Sequence, residues 1–160
     1  MAGRAAMTSG DNPFREAAGG RSVVLGHDWL TGMRGGERLL EQHCLAFPAA
    51  PIATLVSNPG SVSETIRSHE IHASWLNHLP GVCGYYRDLL PLMPAAARSL
   101  RVPEAEVMVT TSHAVAKSFR KPEGAKHLCC CFTPMRYAWL FQEEYFGKGT
   151  LKAKLLAPLL

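Results

Sequence analysis

Residues able to do chemistry gather in three short stretches of this 160-residue sequence. The first holds His27 and Asp28, followed by Gly32, Gly35, Gly36 and Glu37. A carboxylate or imidazole where a strand gives way to a loop can accept a hydroxyl proton or a hydrogen bond, and it can equally tie down nearby loop amides. Glycines between a strand and a helix let backbone N–H groups approach a ligand, and a helix start carries orphan donors and a partial positive charge that suit phosphate. The second stretch is Thr110-Thr111-Ser112-His113, where the histidine can serve either in chemistry or in loop packing. The third runs from Phe132 through Thr133 and Pro134 to Arg136, Tyr137 and Trp139. The glycine loop matches neither the dinucleotide pattern G-x-G-x-x-G nor the P-loop, and Gly147-Lys148-Gly149-Thr150 fails the P-loop pattern as well. A nicotinamide-dependent enzyme would need the first of these.

Five cysteines include the run Cys129-Cys130-Cys131, with Cys44 and Cys83 distant and no C-x-x-C pair. Adjacent cysteines on a strand alternate sides instead of converging on a metal, so the thiols are expected to be reduced, buried small hydrophobes in a reducing, cytoplasmic setting, with no metal site. Between His113 and Arg136 lie five basic residues, Lys117, Arg120, Lys121, Lys126 and Arg136, against the single acid Glu123. The rest of the chain is balanced, with 12 charges of each sign. Such a segment is either a solvated surface or a face for phosphates, and it allows peripheral association with the inner face of an anionic membrane. Nucleic-acid binding calls for a more basic domain with interleaved aromatics or a known motif, and neither is present.

The elements that must position these residues follow from hydrophobic periodicity. Buried strands are predicted over residues 22–27, 51–56, 106–111 and 126–132, with a short extended piece over 71–74. Apolar positions 39, 40, 44 and 47 have helical spacing, which predicts a helix over 38–47 ended by Pro48. Further helices are expected over 62–69, over 85–93 with Pro94 as the stop, over 112–119 with Ser112 as N-cap, and from Thr133-Pro134 through Tyr137 and Trp139. Strands alternating with helices define an α/β class, a Rossmann-like layer sandwich with a mainly parallel sheet. At 47% hydrophobic and 19% charged residues the chain can bury a core. In such sheets ligands bind beyond the carboxyl ends of the strands, where loops 27–37, 111–114 and 132–139 fall.

The segment His27-Asp28-Trp29-Leu30-Thr31-Gly32-Met33-Arg34-Gly35-Gly36-Glu37 resembles the opening of glycosyltransferase family 4 N-terminal domains. Four more fragments keep the same order: Phe-Pro-Ala-Ala-Pro-Ile at 47–52, Leu-Leu-Pro-Leu-Met-Pro at 89–94, Thr-Thr-Ser-His-Ala-Val-Ala-Lys at 110–117, and Thr-Pro-Met-Arg-Tyr-Ala-Trp at 133–139. The similarity spans residues 23–139. It implies a GT-B enzyme of the hexosyltransferase type, in which an N-terminal domain holds the acceptor and a C-terminal domain holds the nucleotide sugar, with the sugar transferred with retention and no catalytic metal. A glycan or lipid-linked acceptor, in polysaccharide or glycolipid synthesis, is the corresponding expectation.

Carried over by residue, the resemblance assigns Asp28 and His113 to catalysis, Gly35, Gly36 and Arg136 to the nucleotide-sugar diphosphate, and His27, Asp28, Tyr137 and Trp139 to the acceptor. One departure is Phe132, where family members carry a histidine near the reacting sugar; a phenyl ring neither exchanges protons nor hydrogen-bonds a hydroxyl. The other reading is a non-catalytic acceptor-binding module. Residues 1–20 read as a disordered tail, 21–146 as the Rossmann-like domain, and 147–160, with its wholly apolar end, as the start of a helix or linker toward a C-terminal donor-binding domain. This chain alone is therefore expected to be inactive.

Overall fold

A computed structural model describes residues 19–133 of the chain. The expected tail falls almost entirely outside this range, as do Arg136, Tyr137, Trp139, the helix expected from Thr133-Pro134 and the segment 147–160.

Five strands form one sheet in the order β3-β2-β1-β4-β5: β1 (Val23–Leu30), β2 (Ile52–Ser57), β3 (Ile71–Ala73), β4 (Val107–Ser112) and β5 (Lys126–Cys131). All four pairings are parallel. The chain has the α/β, Rossmann-like architecture that its alternating pattern predicts. β1 is buried at every position because β2 and β4 flank it and both of its faces are covered. It also runs three residues past the predicted end. Pairing of Trp29 with Val56 and of Leu30 with Ser57 draws Asp28, Trp29 and Leu30 out of the expected loop and into the strand. Gly26 sits where a Cβ would lie 2.7 Å from Thr110 Cγ2, so the side chain of β4 occupies the space that a larger residue on β1 would need.

One face of the sheet is covered by α1 (Gly35–Ala46) and by α2 (Glu64–Arg67), which Ser63 caps through the Ile66 N–H. Leu25, Leu40, Cys44, Ile52 and Ile66 pack there, each 0–1% exposed. The helical spacing of residues 40 and 44 places both on the buried stripe of α1, and each fully buried aliphatic side chain contributes about 1.5–3 kcal/mol relative to exposure. The opposite face buries Val24, Leu55, Met108, Leu76, Tyr86, Met93 and Phe119 beneath α3 (Met93–Ser99) and a series of 3-10 turns.

Three helical expectations need correction. The helix expected over 62–69 is a single turn at Glu64–Arg67. The helix expected over 85–93 is a 3-10 segment, Tyr86–Leu92, with Pro91 inside it; α3 then starts at Met93, so Pro94 stands in its first turn, where no backbone N–H is required. The helix expected over 112–119 shrinks to a 3-10 turn at Ala116–Ser118, because Ser112 ends β4 and the amides beyond it are bonded elsewhere. The cysteine expectation holds for Cys44 and fails for Cys129, Cys130 and Cys131, which are exposed. β5 is the outer strand of the described sheet and pairs with β4 alone among the described strands. Among the described residues no helix is long and apolar enough to cross a membrane.

Candidate functional site

The chain leaves β1 through α1 to reach β2 on one side, and after β3 it crosses to β4 on the other side of β1. Strand order therefore reverses between β1 and β4. In open parallel sheets this switch point opens a crevice at the carboxyl ends of the strands. The loop after β1 with the start of α1, the turn after β4, and Phe132 after β5 all lie at that edge.

His27 and Asp28 do not enter one crevice together. Successive residues of a strand point to opposite faces, and both of these belong to β1. His27, 1% exposed, lies on the α1 side, where its Nδ1 is 2.7 Å from Thr111 Oγ1 and 3.0 Å from the Thr111 carbonyl oxygen. Its ring also faces α1: a Cβ on Gly36 would lie 3.0 Å from His27 Cε1 and 3.4 Å from the Phe132 ring. Gly36 thus lets the helix seat closely on the histidine. Burial pushes the His27 imidazole below its usual value, against the opposing fields of Asp28 and Glu37, so it is held neutral.

Asp28 is 0% exposed and lies on the other side of the sheet. Its Oδ1 accepts hydrogen bonds from Ser112 Oγ at 3.0 Å and from the N–H groups of Val115 at 2.8 Å and Ala116 at 2.6 Å. Its Oδ2 accepts from the N–H groups of His113 at 2.7 Å and Ala114 at 3.0 Å, and lies 3.1 Å from His113 Nδ1. Four consecutive backbone amides wrapped around one carboxylate form an anion-binding nest filled from within the chain. Burial alone would raise the Asp28 carboxyl, but the bond from the His113 side chain and those from the Ala116 and His113 amides hold it well below the usual carboxylate range. A carboxylate offers about four lone-pair positions. With six donors already on it, Asp28 has none left for a ligand, and its geometry is that of an organiser of the turn at 112–116.

His113 is the part of this arrangement that reaches the surface, with its side chain 29% exposed. The Trp29 ring meets it edge-on, with centroids 4.7 Å apart and planes at 88°. Trp29 in turn packs against Tyr86, whose hydroxyl oxygen accepts a bond from Thr31 in the loop after β1. At the start of α1, Gly35 has open space around it, while Glu37 is 4% exposed and its Oε2 accepts the Arg34 N–H at 3.1 Å. The glutamate already caps the helix, and Gly35 and Gly36 form its first turn. Their assignment to a diphosphate and the roles of Asp28 and His113 remain what the resemblance implies; Arg136, Tyr137 and Trp139 lie outside the described residues.

Thr111 was not among the predicted site residues, yet it anchors His27 from a position 84 residues away in sequence. Sequence proximity holds no signal for such a pair, which only the β1–β4 register creates. His127 is likewise turned inward, with Nε2 2.9 Å from Thr110 Oγ1. A cavity of about 510 Å³, lined by residues that include Arg21, Val23, Phe47, Pro51 and Glu104, lies at the opposite, amino end of β1 and β2 and contains none of these groups. Among the described residues no three His, Cys, Asp or Glu side chains gather as a metal site. No family model, no curated protein and no solved structure matches this chain.

Proposed function

We propose that this chain is the acceptor-side domain of a retaining, GT-B glycosyltransferase that moves a sugar from a nucleotide-sugar donor to a glycan or lipid-linked acceptor. What carries the reading is the meeting of two resembling segments, 27–37 and 110–117, at the carboxyl edge and switch point of a parallel sheet, where α/β folds bind ligands. At that edge stand an accessible imidazole, His113, and the start of α1, where Gly35 has open space beside it. A donor-binding domain on the facing side of the cleft would complete the enzyme. The chemistry would depend on bringing acceptor and donor together and on stabilising the departing diphosphate.

Phe132 favours a second reading, a non-catalytic acceptor-binding module. Its ring packs near Gly36 at the crevice edge, in the position where the resembling family carries a histidine. Titration of the chain with nucleotide sugars and with glycan or lipid-linked acceptors tests both. Acceptor binding with weak donor binding and no transfer is the expected result. Sugar transfer by the chain alone would overturn the division of labour, and no binding of any acceptor would overturn the sugar reading itself.

A further inference from the structure

We infer that Asp28 is a positioning residue that locks His113 as its Nδ1–H tautomer, so that Nε2 is presented at the switch-point crevice as a hydrogen-bond acceptor for a ligand hydroxyl. This rests on the sugar reading only for the kind of molecule that carries the hydroxyl.

For the neutral ring, the chemistry of the contact leaves one arrangement. Asp28 Oδ2 is part of a fully buried carboxylate surrounded by donors, and an ionised carboxylate can only accept. His113 Nδ1, 3.1 Å from it, must therefore be the donor. A neutral imidazole has a single N–H, so placing it on Nδ1 leaves the lone pair on Nε2. That nitrogen lies on the side of the ring away from the carboxylate and has no hydrogen-bond partner among the described residues. Flipping the ring would place carbon against Oδ2 and forfeit the bond, and the Trp29 edge restricts its swing. The backbone beneath the ring is held as well, because the amides of residues 113–116 all bond the same carboxylate.

The two histidines at this edge are thus divided in task. His27 is buried and spends Nδ1 on Thr111, tying β1 to β4. His113 spends Nδ1 on Asp28 and keeps the other nitrogen open. Beside the buried carboxylate of Asp28, and with Nε2 unprotonated, the neutral His113 ring suits a neutral O–H donor better than an anion.

The test is nuclear magnetic resonance on the whole 160-residue chain with isotope-labelled imidazoles, at a pH where His113 is neutral. The Nδ1–H form, which free histidine side chains disfavour, is expected to dominate, and a dominant Nε2–H form overturns the inference. Asp28→Asn should shift the population toward Nε2–H. If that variant does not fold, His113→Asn carries the test, because its amide can still donate to Asp28 but offers nothing in place of Nε2. His113→Asn should keep the amides of residues 114–116 protected from exchange, while methyl glycosides of common hexoses, used as probes, bind it at least tenfold more weakly than the parent. Equal binding by His113→Asn, or no glycoside perturbing the His113 resonances of the parent, overturns the hydroxyl site. Either result leaves the sugar-transfer reading to be judged separately, by the donor and acceptor titration.

Discussion

Asp28 shows how far the surroundings of one residue depend on partners distant in sequence. An aspartate near the end of a strand can serve as an acid or base or tie down nearby loop amides; here it is completely buried and its acceptor positions are filled by residues 112–116. This gives a pH dependence whose sign is fixed. The folded-state carboxyl sits below its unfolded value of about 3.9, so the unfolded chain binds the proton more readily. The stabilisation is present above that value and is lost as pH falls through it toward the folded value. Neutral, buried His27 adds a loss of the same sign that starts higher, below about pH 6.5. Urea unfolding of the parent and of Asp28→Asn should show the variant less stable by about 3–5 kcal/mol at pH 7, with the gap narrowing between about pH 5 and pH 3. Parallel loss of stability in the two proteins would remove Asp28 from this role.

At the scale of elements, periodicity locates each of the five described strands, and it misses where tertiary bonds decide an end. Periodicity ends β1 at His27 because Asp28 reads as a loop residue; its partners on β2 extend it to Leu30. The helix expected after Ser112 is replaced by a turn because Asp28 collects the amides that would have opened it. β5 illustrates the same limit for burial. Its apolar composition reads as a core strand, yet Leu128 is 61% exposed and the three cysteines that follow are exposed too. Burial pushes the Cys44 thiol up to about 12, which leaves roughly a thousandfold less thiolate than an ordinary thiol at neutral pH. Iodoacetamide applied to the folded chain should therefore label Cys129, Cys130 and Cys131 well before Cys44, as mass spectrometry of the digest would report. Protection of the β5 cysteines equal to that of Cys44 would show that the edge is covered in solution.

For the molecule as a whole, the basic segment sorts into different jobs. Lys121 Nζ donates to the Ala125 carbonyl oxygen at 2.7 Å and closes the loop before β5, where Gly124 takes a φ of +72°. Lys117 and Arg120 are exposed beside that loop. If the protein meets anionic lipid, these two side chains carry the contact, at about 1 kcal/mol each near the surface. Vesicles containing phosphatidylserine should bind the parent and lose several-fold in affinity on Lys117→Ala with Arg120→Ala, with the effect fading in high salt. Unchanged binding by the double variant, or no binding by the parent, would sink the lipid contact.

By itself the sequence determined the α/β class, the parallel sheet and the edge on which the described candidate residues stand. Local periodicity and the ends of apolar runs are recorded in neighbouring residues, so they can be read one window at a time. Tertiary structure alone decided what those residues do at that edge. His27 bonds Thr111 and Asp28 bonds Ser112 through Ala116, partners 84 to 88 residues away that only the register of β1 against β4 brings together. Whether a carboxylate is free to act or already spent depends on such long-range donors, which leave no trace in the residues beside it.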